Sequence, residues 1–252
     1  MADAVSSQTL LDTERKCIFK FTNISDGSGE ANVKKIDVST LTWAKHTLTL
    51  SAAADEKFKI GEVISTAAGH SAVGDGSEFF IVTGFTAGAS TVEVVGWDYT
   101  NKKAAAASTA YSNADKIVGG VTGLHTQTAA NSGALIELDY ELLVTKIQWI
   151  CNGMTVIVEW DGSSAEKVIA QLSGNGILNM PGLEWPGIPS NATGDTSGVL
   201  GDIQFTTVGH TSGDSYTIIM ECKKQAPGYD IPQYEGNSNL GFRLDYLLGN
   251  FT

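Results

Sequence analysis

The side chains that could support catalysis or metal binding are few and widely separated in this chain. It has four histidines and three cysteines among 252 residues, and no H-x-x-x-H or C-x-x-C spacing of metal ligands occurs. His210 could be a general base beside Asp214, but glycine-rich loops such as 209–214 use these side chains to cap backbone groups. No G-x-S-x-G elbow, P-loop or dinucleotide fingerprint is present. The sequence therefore predicts a protein that is not an enzyme and binds no cofactor.

Carboxylates offer two further possibilities, a glycosidase pair and a calcium site. The alternate acids at 137, 139 and 141 are predicted to share a solvated face of one strand, which argues against a catalytic pair. The acidic turns 26–30 and 75–78 could supply oxygen ligands to Ca²⁺, but they lack EF-hand spacing, and turns use the same residues for geometry. The other carboxylates considered are Glu159 and Asp161. No catalytic residue and no metal ligand is predicted.

Charge and cysteine content exclude several classes of protein. The formal net charge is −12 and the pI is about 4.6, so binding to nucleic acid is disfavoured. Cys17, Cys151 and Cys222 lie inside apolar runs and are expected to be buried, reduced thiols rather than a disulfide framework. The first residues lack the features of a secretory signal, and no run reaches the roughly 18 apolar residues that span a bilayer. We expect a soluble protein made in a cytosol, without a membrane partner.

Short apolar runs separated by glycine indicate an all-β fold. Runs at 17–24, 33–38, 142–151 and 154–160 have strand character, and Asn152-Gly153 between two of them is a strong hairpin signal. The runs 203–207 and 215–222 are expected to form a last strand pair around the loop 209–214. Only 104–107 favours a helix, and that run is too short to be stable alone.

The same runs predict the domain organisation. Residues 14–41 and 135–225 are predicted to form a jelly-roll-like β-sandwich, and residues 43–125 an inserted β domain that resembles a small barrel. Residues 1–13 and 226–252 are expected to be extended terminal arms.

Aromatic and aliphatic residues of the C-terminal arm are the predicted interaction residues, because so many would not remain in water. Trp185, flanked by prolines in a loop, is a further anchor for a protein neighbour or a sugar. The predicted contact residues of the arm are Tyr229, Ile231, Tyr234, Phe242, Leu244, Tyr246, Leu247, Leu248 and Phe251.

Three segments resemble small virion structural proteins of marine tailed phages, of the cyanophage and pelagiphage type. They are Cys17-Ile-Phe-Lys-Phe-Thr-Asn-Ile-Ser-Asp-Gly-Ser-Gly-Glu, the segment 146–161 around Trp149-Ile-Cys-Asn-Gly-Met, and the segment 201–220 beginning Gly201-Asp-Ile-Gln-Phe-Thr. The segments occur in the same order as in that group, and the resemblance as a whole extends over about half of the chain. The resemblance implies a phage particle protein on the capsid surface, produced in the cytoplasm of the bacterial host.

The function that follows from this resemblance is capsid decoration. A decoration or cement protein would bind the major capsid protein and its own copies, with a trimer as a plausible assembly. Two alternatives stay open: a module of a fibre or outward-facing domain that binds host-surface glycan, and a neck or tail connector subunit.

Overall fold

A computed structural model describes residues 4–54, 58–67, 69, 78–107, 114–130, 135–137, 140–162, 166–180, 188–189 and 201–225. Numbered along the chain, the strands are β1 (Ser6–Asp12), β2 (Lys16–Ile24), β3 (Val33–Ile36), β4 (Lys45–Thr49), β5 (Val63–Ala67), β6 (Glu78–Phe85), β7 (Thr91–Asp98), β8 (Lys103–Ala104), β9 (Lys116–Gly119), β10 (Gly123–Thr128), β11 (Ile136–Glu137), β12 (Glu141–Asn152), β13 (Thr155–Trp160), β14 (Lys167–Leu172), β15 (Asn175–Asn179), β16 (Ile188–Pro189), β17 (Ile203–Val208) and β18 (Ser215–Gln225). A short 3-10 helix, Val38–Thr40, follows β3. The chain is therefore all-β, as predicted.

The described residues form two compact units. The first contains residues between Met1 and Val38 and between Asp139 and Tyr229, and the second contains residues between Ser39 and Leu138. The first unit has a six-stranded antiparallel sheet in the order β1-β2-β18-β12-β15, with β16 also paired to β12, and a four-stranded sheet in the order β14-β13-β17-β3. The second unit has one sheet in the order β10-β9-β5-β6-β7-β4-β11, with β8 paired to β7.

The two sheets of the first unit pack face to face as a β-sandwich. In β2, β13 and β18, buried residues alternate with more exposed ones, so each strand turns one face inward. Phe205 of the smaller sheet meets Phe21 of the larger sheet edge-on, with ring centroids 5.1 Å apart. Tyr216 of the larger sheet also contacts Phe205, with ring centroids 6.0 Å apart. These aromatic contacts join the inner faces of the two sheets and confirm the predicted sandwich.

The predicted hairpin at Asn152-Gly153 is wrong, although the turn is where the sequence places it. β12 pairs with β18, β15 and β16, whereas β13 pairs with β14 and β17. The turn therefore carries the chain from one sheet to the other. Gly153 has a φ of +79°, a conformation that suits both kinds of turn, so local sequence does not distinguish them. The predicted pair at 203–207 and 215–222 is wrong for the same reason, because β17 and β18 belong to different sheets.

Three such sheet-to-sheet connections, which we call arches, pack against one another. They link β2 to β3, β12 to β13 and β17 to β18. The amide of Ser25 donates to the carbonyl of Asp214 at 2.8 Å, and the amide of Gly213 donates to the carbonyl of Ser25 at 2.8 Å. A Cβ placed on Gly153 would overlap the carboxylate of Asp214. Each arch therefore depends on its neighbours.

The sequence missed the two edges of the large sheet. Residues 6–12, assigned to an N-terminal arm, form β1 and pair with β2 in an antiparallel register. Residues 175–179, which belong to none of the predicted strand runs, form β15 and pair with β12. Both strands border solvent on their outer side, so neither has the long apolar run from which an inner strand is predicted. The predicted C-terminal arm, 226–252, lies outside the described residues.

The sheet of the second unit buries side chains on both faces. Leu48, Ile64 and Phe80 belong to one buried cluster, and Ile81 and Trp97 to another. β6 and β7 form a hairpin around residues 86–90. A single bridge between Leu50 and Ala129 links the chain just beyond β4 to the chain just beyond β10, and a closed barrel stays a prediction.

Among the described residues no helix is long and apolar enough to cross a membrane.

Candidate interaction surface

The outer face of the large sheet in the first unit is the candidate functional site. Alternation along β12, β15 and β18 turns Ile150, Ile177 and Ile219 away from the core. Ile150 is 63% exposed and Ile177 is 64% exposed. In the sheet register Ile150 lies opposite Thr217, and Ile219 lies opposite Gln148. Ile150, Ile177 and Ile219 therefore form a largely apolar patch, with Lys20 of β2 opposite Ile219 at its border. Exposed apolar patches are typical of surfaces that contact another protein.

Two shallow depressions meet at Ile150. One, of about 490 Å³, is lined by Gln148, Ile150, Ile177 and Ile219 among others. The other, of about 550 Å³, extends from Ile150 toward Val5. Side chains of a partner could insert into these two depressions.

Charged residues border this apolar patch on one side, toward the start of β12 and on β2. The outward-facing positions of β2, β12 and β18 include four lysines and one glutamate, namely Lys16, Lys20, Lys146, Lys223 and Glu221. Lys16 and Glu221 pair at 2.7 Å. The whole chain has a net charge of −12, so this face is locally cationic on an acidic protein. It fits a partner with an acidic surface around an apolar contact.

A buried polar cluster lies on the opposite, inner side of the sheet. The ammonium group of Lys35 contacts the carboxylate of Glu30, and their side chains are 2% and 3% exposed. The Tyr216 hydroxyl donates to Glu30 Oε2 at 2.7 Å. Burial, together with the negative charge of Glu30, raises the pKa of Tyr216. Glu30 is therefore committed to the core and is not available as a calcium ligand in the turn 26–30.

The other side chains considered for chemistry also have structural partners. His210 lies over Gly29, where a Cβ would overlap the imidazole, and its Nδ1 is 3.4 Å from Thr207 Oγ1. Asp214 accepts hydrogen bonds from the amide of Thr211 at 2.6 Å and from its hydroxyl at 2.9 Å. Asp214 thus fixes the backbone of the loop 209–214, as the turn interpretation predicts, whereas His210 contacts the Thr207 side chain and Gly29 of the neighbouring arch.

The carboxylates do not form the predicted strand face. Glu137 belongs to β11 and Glu141 to β12, and these strands lie in different sheets. Asp139 and the turn 75–77 lie outside the described residues. Glu159 Oε2 accepts a hydrogen bond from Thr206 at 3.2 Å. Within the described part of the chain, no three His, Cys, Asp or Glu side chains form a group that could hold a metal ion.

One polar cluster in the second unit was not predicted. Thr122 Oγ1 lies 2.8 Å from His125 Nε2 and 3.0 Å from Glu62 Oε2. In a nucleophile triad the imidazole stands between the hydroxyl and the acid, joined through different nitrogens. Here His125 Nε2 and the carboxylate both face the same hydroxyl, and Glu62 also accepts from the amide of Lys59 at 3.0 Å. The cluster therefore holds the turns at residues 59–62 and 122–125 together by hydrogen bonds and does not have the geometry of a catalytic triad.

The predicted contact residues lie outside the described part of the chain: Trp185 and the arm residues Tyr229, Ile231, Tyr234, Phe242, Leu244, Tyr246, Leu247, Leu248 and Phe251. The outer face was missed, although its signal is in the sequence. Trp149-Ile150, Ile177-Leu178 and Ile218-Ile219 are adjacent apolar pairs, and a strand turns adjacent residues to opposite faces. Each pair therefore places one apolar side chain outward.

Comparisons with known proteins do not assign the chain to a family. The described residues define an all-β protein with a sandwich unit, but no family model and no curated protein matches the sequence. One compared structure is the collagen-binding domain of the Erysipelothrix rhusiopathiae surface protein RspB. The alignment covers 89% of this chain and 82% of that one, with 8% identity and a TM-score of 0.11. Similarity at that level carries no argument about function.

Proposed function

We propose that this protein is a structural protein of a tailed-phage particle, a decoration protein that binds the capsid shell and neighbouring copies of itself. The supporting observation is the outer face of the large sheet, where exposed Ile150 and Ile177 lie beside a lysine-rich part of the same face. Such a protein acts by binding alone. A ligand that binds the intact lattice and not the ruptured one stabilises the lattice by mass action.

The three segments that resemble virion proteins support this proposal by their arrangement. The segments at 17–30, 146–161 and 201–220 contain β13 and β17, nearly all of β2, and about half each of β12 and β18. Those strands are neighbours within the two sheets, and each segment contains part or all of one arch. The resemblance therefore falls on one packed structural unit and not on scattered surface pieces.

The charge of the outer face indicates how copies would contact one another. If two copies met through this face around a two-fold axis, the lysines of one copy would lie near the lysines of the other and would repel them. A head-to-tail contact instead places the cationic face on the acidic remainder of the next copy, which is electrostatically favourable. Closed rings, including a trimer, are built from contacts of this second kind.

Placing an aspartate on the outer face is expected to weaken binding to capsids. In Ile150→Asp and Ile177→Asp, each new charge would be desolvated at the contact and would repel an acidic partner, so we expect roughly tenfold weaker binding or more. Co-sedimentation with capsids that lack the protein measures this. Val168→Asp is the matched control, because Val168 is 55% exposed and lies on β14 of the other sheet.

Particles with and without the protein should also differ in heat resistance, and equal resistance would contradict the proposal. Unchanged heat resistance with reduced adsorption to host cells would favour the glycan-binding alternative.

Removal of residues 226–252 is expected to prevent incorporation into particles while leaving the β-sandwich folded. That segment is rich in aromatic and aliphatic residues, which are typical anchors in protein interfaces. A chain ending at Gln225 retains the whole of β18, so circular dichroism should be unchanged. Normal occupancy of particles by the truncated chain would show that the arm is not the anchor.

A further inference from the structure

Two of the three cysteines face each other across neighbouring strands. Cys17 of β2 lies directly opposite Cys222 of β18 in the antiparallel register, and neither has exposed surface. Two residues along each strand, the amide of Lys224 donates to the carbonyl of Arg15 at 2.9 Å. Hydrogen-bonded pairs alternate along an antiparallel ladder, so the cysteines also occupy a hydrogen-bonded pair. The Cα atoms of such pairs are about 5.5 Å apart, and disulfides join Cα atoms separated by about 4.4–6.8 Å.

The thiols are also in contact. Residues opposite each other in a sheet project from the same face, and the Cys17 and Cys222 side chains form a hydrogen bond. Both are free thiols in this structure. Cys151, by contrast, lies opposite Tyr216 on the same strand β18. It is therefore an internal control for a buried thiol whose opposite residue is not cysteine.

The end of the strand pair is closed by a buried ion pair. The side-chain nitrogen of Lys224 contacts the Asp12 carboxylate and donates to the carbonyl of Thr13 at 2.8 Å. Asp12 is the residue of β1 that lies opposite Cys17. All seven residues of β1 are exposed or half-buried, so local opening of this edge strand loses little apolar packing and mainly breaks the contact between Asp12 and Lys224. Such opening would give a small reagent access to Cys17.

We propose that Cys17 and Cys222 form an oxidation site in which a small disulfide compound converts the two thiols to one cross-strand disulfide. One thiolate attacks the reagent, for example oxidised glutathione, and releases the first thiol of the reagent. The second thiolate attacks the sulfur of the resulting mixed disulfide and releases the second thiol. The two cysteines together lose two electrons and two protons, and the reagent gains them.

The bond would close a loop that contains most of the chain. It joins the second residue of β2 to the eighth residue of β18, so the unfolded chain loses more conformational freedom than it would with a short loop. The thiols would be reduced in a cytosol and oxidised outside it. This inference follows from the strand register and does not depend on the proposed function.

The test is to incubate the full-length protein with oxidised glutathione and then to alkylate the remaining thiols under denaturing conditions. Two of the three cysteines should resist alkylation, the mass should fall by two hydrogens, and tryptic mapping should link residues 17–20 to the peptide containing Cys222. The oxidised protein should unfold at a temperature roughly 5–10 °C higher than the reduced protein.

Variants separate this site from nonspecific oxidation. Cys151→Ser should form the bond as the natural sequence does, whereas Cys17→Ser and Cys222→Ser should retain one alkylatable partner thiol each. Cys17→Ala and Cys222→Ala provide the same comparison if the serine variants fold poorly. Three outcomes would overturn the proposal. The first is a disulfide that involves Cys151, and the second is a glutathione adduct on Cys17 that is not displaced by Cys222. The third is three alkylatable thiols after incubation with oxidised glutathione in urea below the unfolding midpoint.

Discussion

Replacement of Glu30 with alanine is expected to destabilise the β-sandwich by about 3–5 kcal/mol. The ammonium group of Lys35 would lose its partner in a site where its side chain is 2% exposed, and the Tyr216 hydroxyl would lose the acceptor 2.7 Å away. A buried charge without a partner costs far more than the net contribution of the pair itself, because its desolvation is no longer compensated. Urea unfolding, followed by hydrogen exchange of amides in β2, β13 and β18, measures the effect on this unit alone.

Glu221→Ala is the matched control for that experiment. Glu221 pairs with Lys16 at 2.7 Å, but the two side chains are 31% and 41% exposed. Solvent screens such a pair, so its loss is expected to cost less than about 1 kcal/mol. If Glu30→Ala costs no more than Glu221→Ala, Lys35 must reach water or another acceptor, and the buried cluster would not be a determinant of stability.

The sequence was sufficient to locate most inner strands, because their alternation is a local property. β2, β13, β17 and β18 each begin and end within a few residues of a predicted run. The partners of those strands were not predictable in the same way. Asn152-Gly153 favours a tight turn, but whether the next strand returns in the same sheet or crosses to the other one depends on packing between distant segments.

The candidate surface depends on the same long-range information. The outward direction of Ile150 follows only after β12 is known to pair with β18 and β15. The cysteine pair is a sharper example, because Cys17 and Cys222 become neighbours through a single register between strands at opposite ends of the chain. Cysteine count and spacing gave no indication of that pairing. The sequence correctly indicated burial of all three thiols, since burial follows from the apolar runs around them.

Raising the pH above about 9 is expected to lower the stability of the reduced β-sandwich steeply. Burial raises the pKa of Cys151 from 9.0 to about 11. The pKa of Cys222 is also raised well above its ordinary value, mainly by burial and then by the contact with Cys17. The unfolded chain therefore releases these thiol protons at a pH where the folded chain retains them. The folded state binds more protons, so the free energy of unfolding falls by about 1.4 kcal/mol per pH unit for each such group.

The sign of this dependence differs for Lys224, which makes the prediction specific. Burial lowers the pKa of Lys224, and this effect outweighs the opposing influence of Asp12. The unfolded chain therefore holds this proton to higher pH than the folded chain does. The contribution of Lys224 to stability thus increases as pH rises. Urea unfolding of the reduced protein at pH 8, 9, 10 and 11 measures the sum. Cys151→Ala should flatten the decline between pH 9 and about 11, whereas Lys224→Met should steepen it by removing the opposing contribution. A decline that begins only above pH 10 and is unaffected by Cys151→Ala would assign alkaline unfolding to Tyr216, whose raised pKa acts in the same direction from a higher starting value.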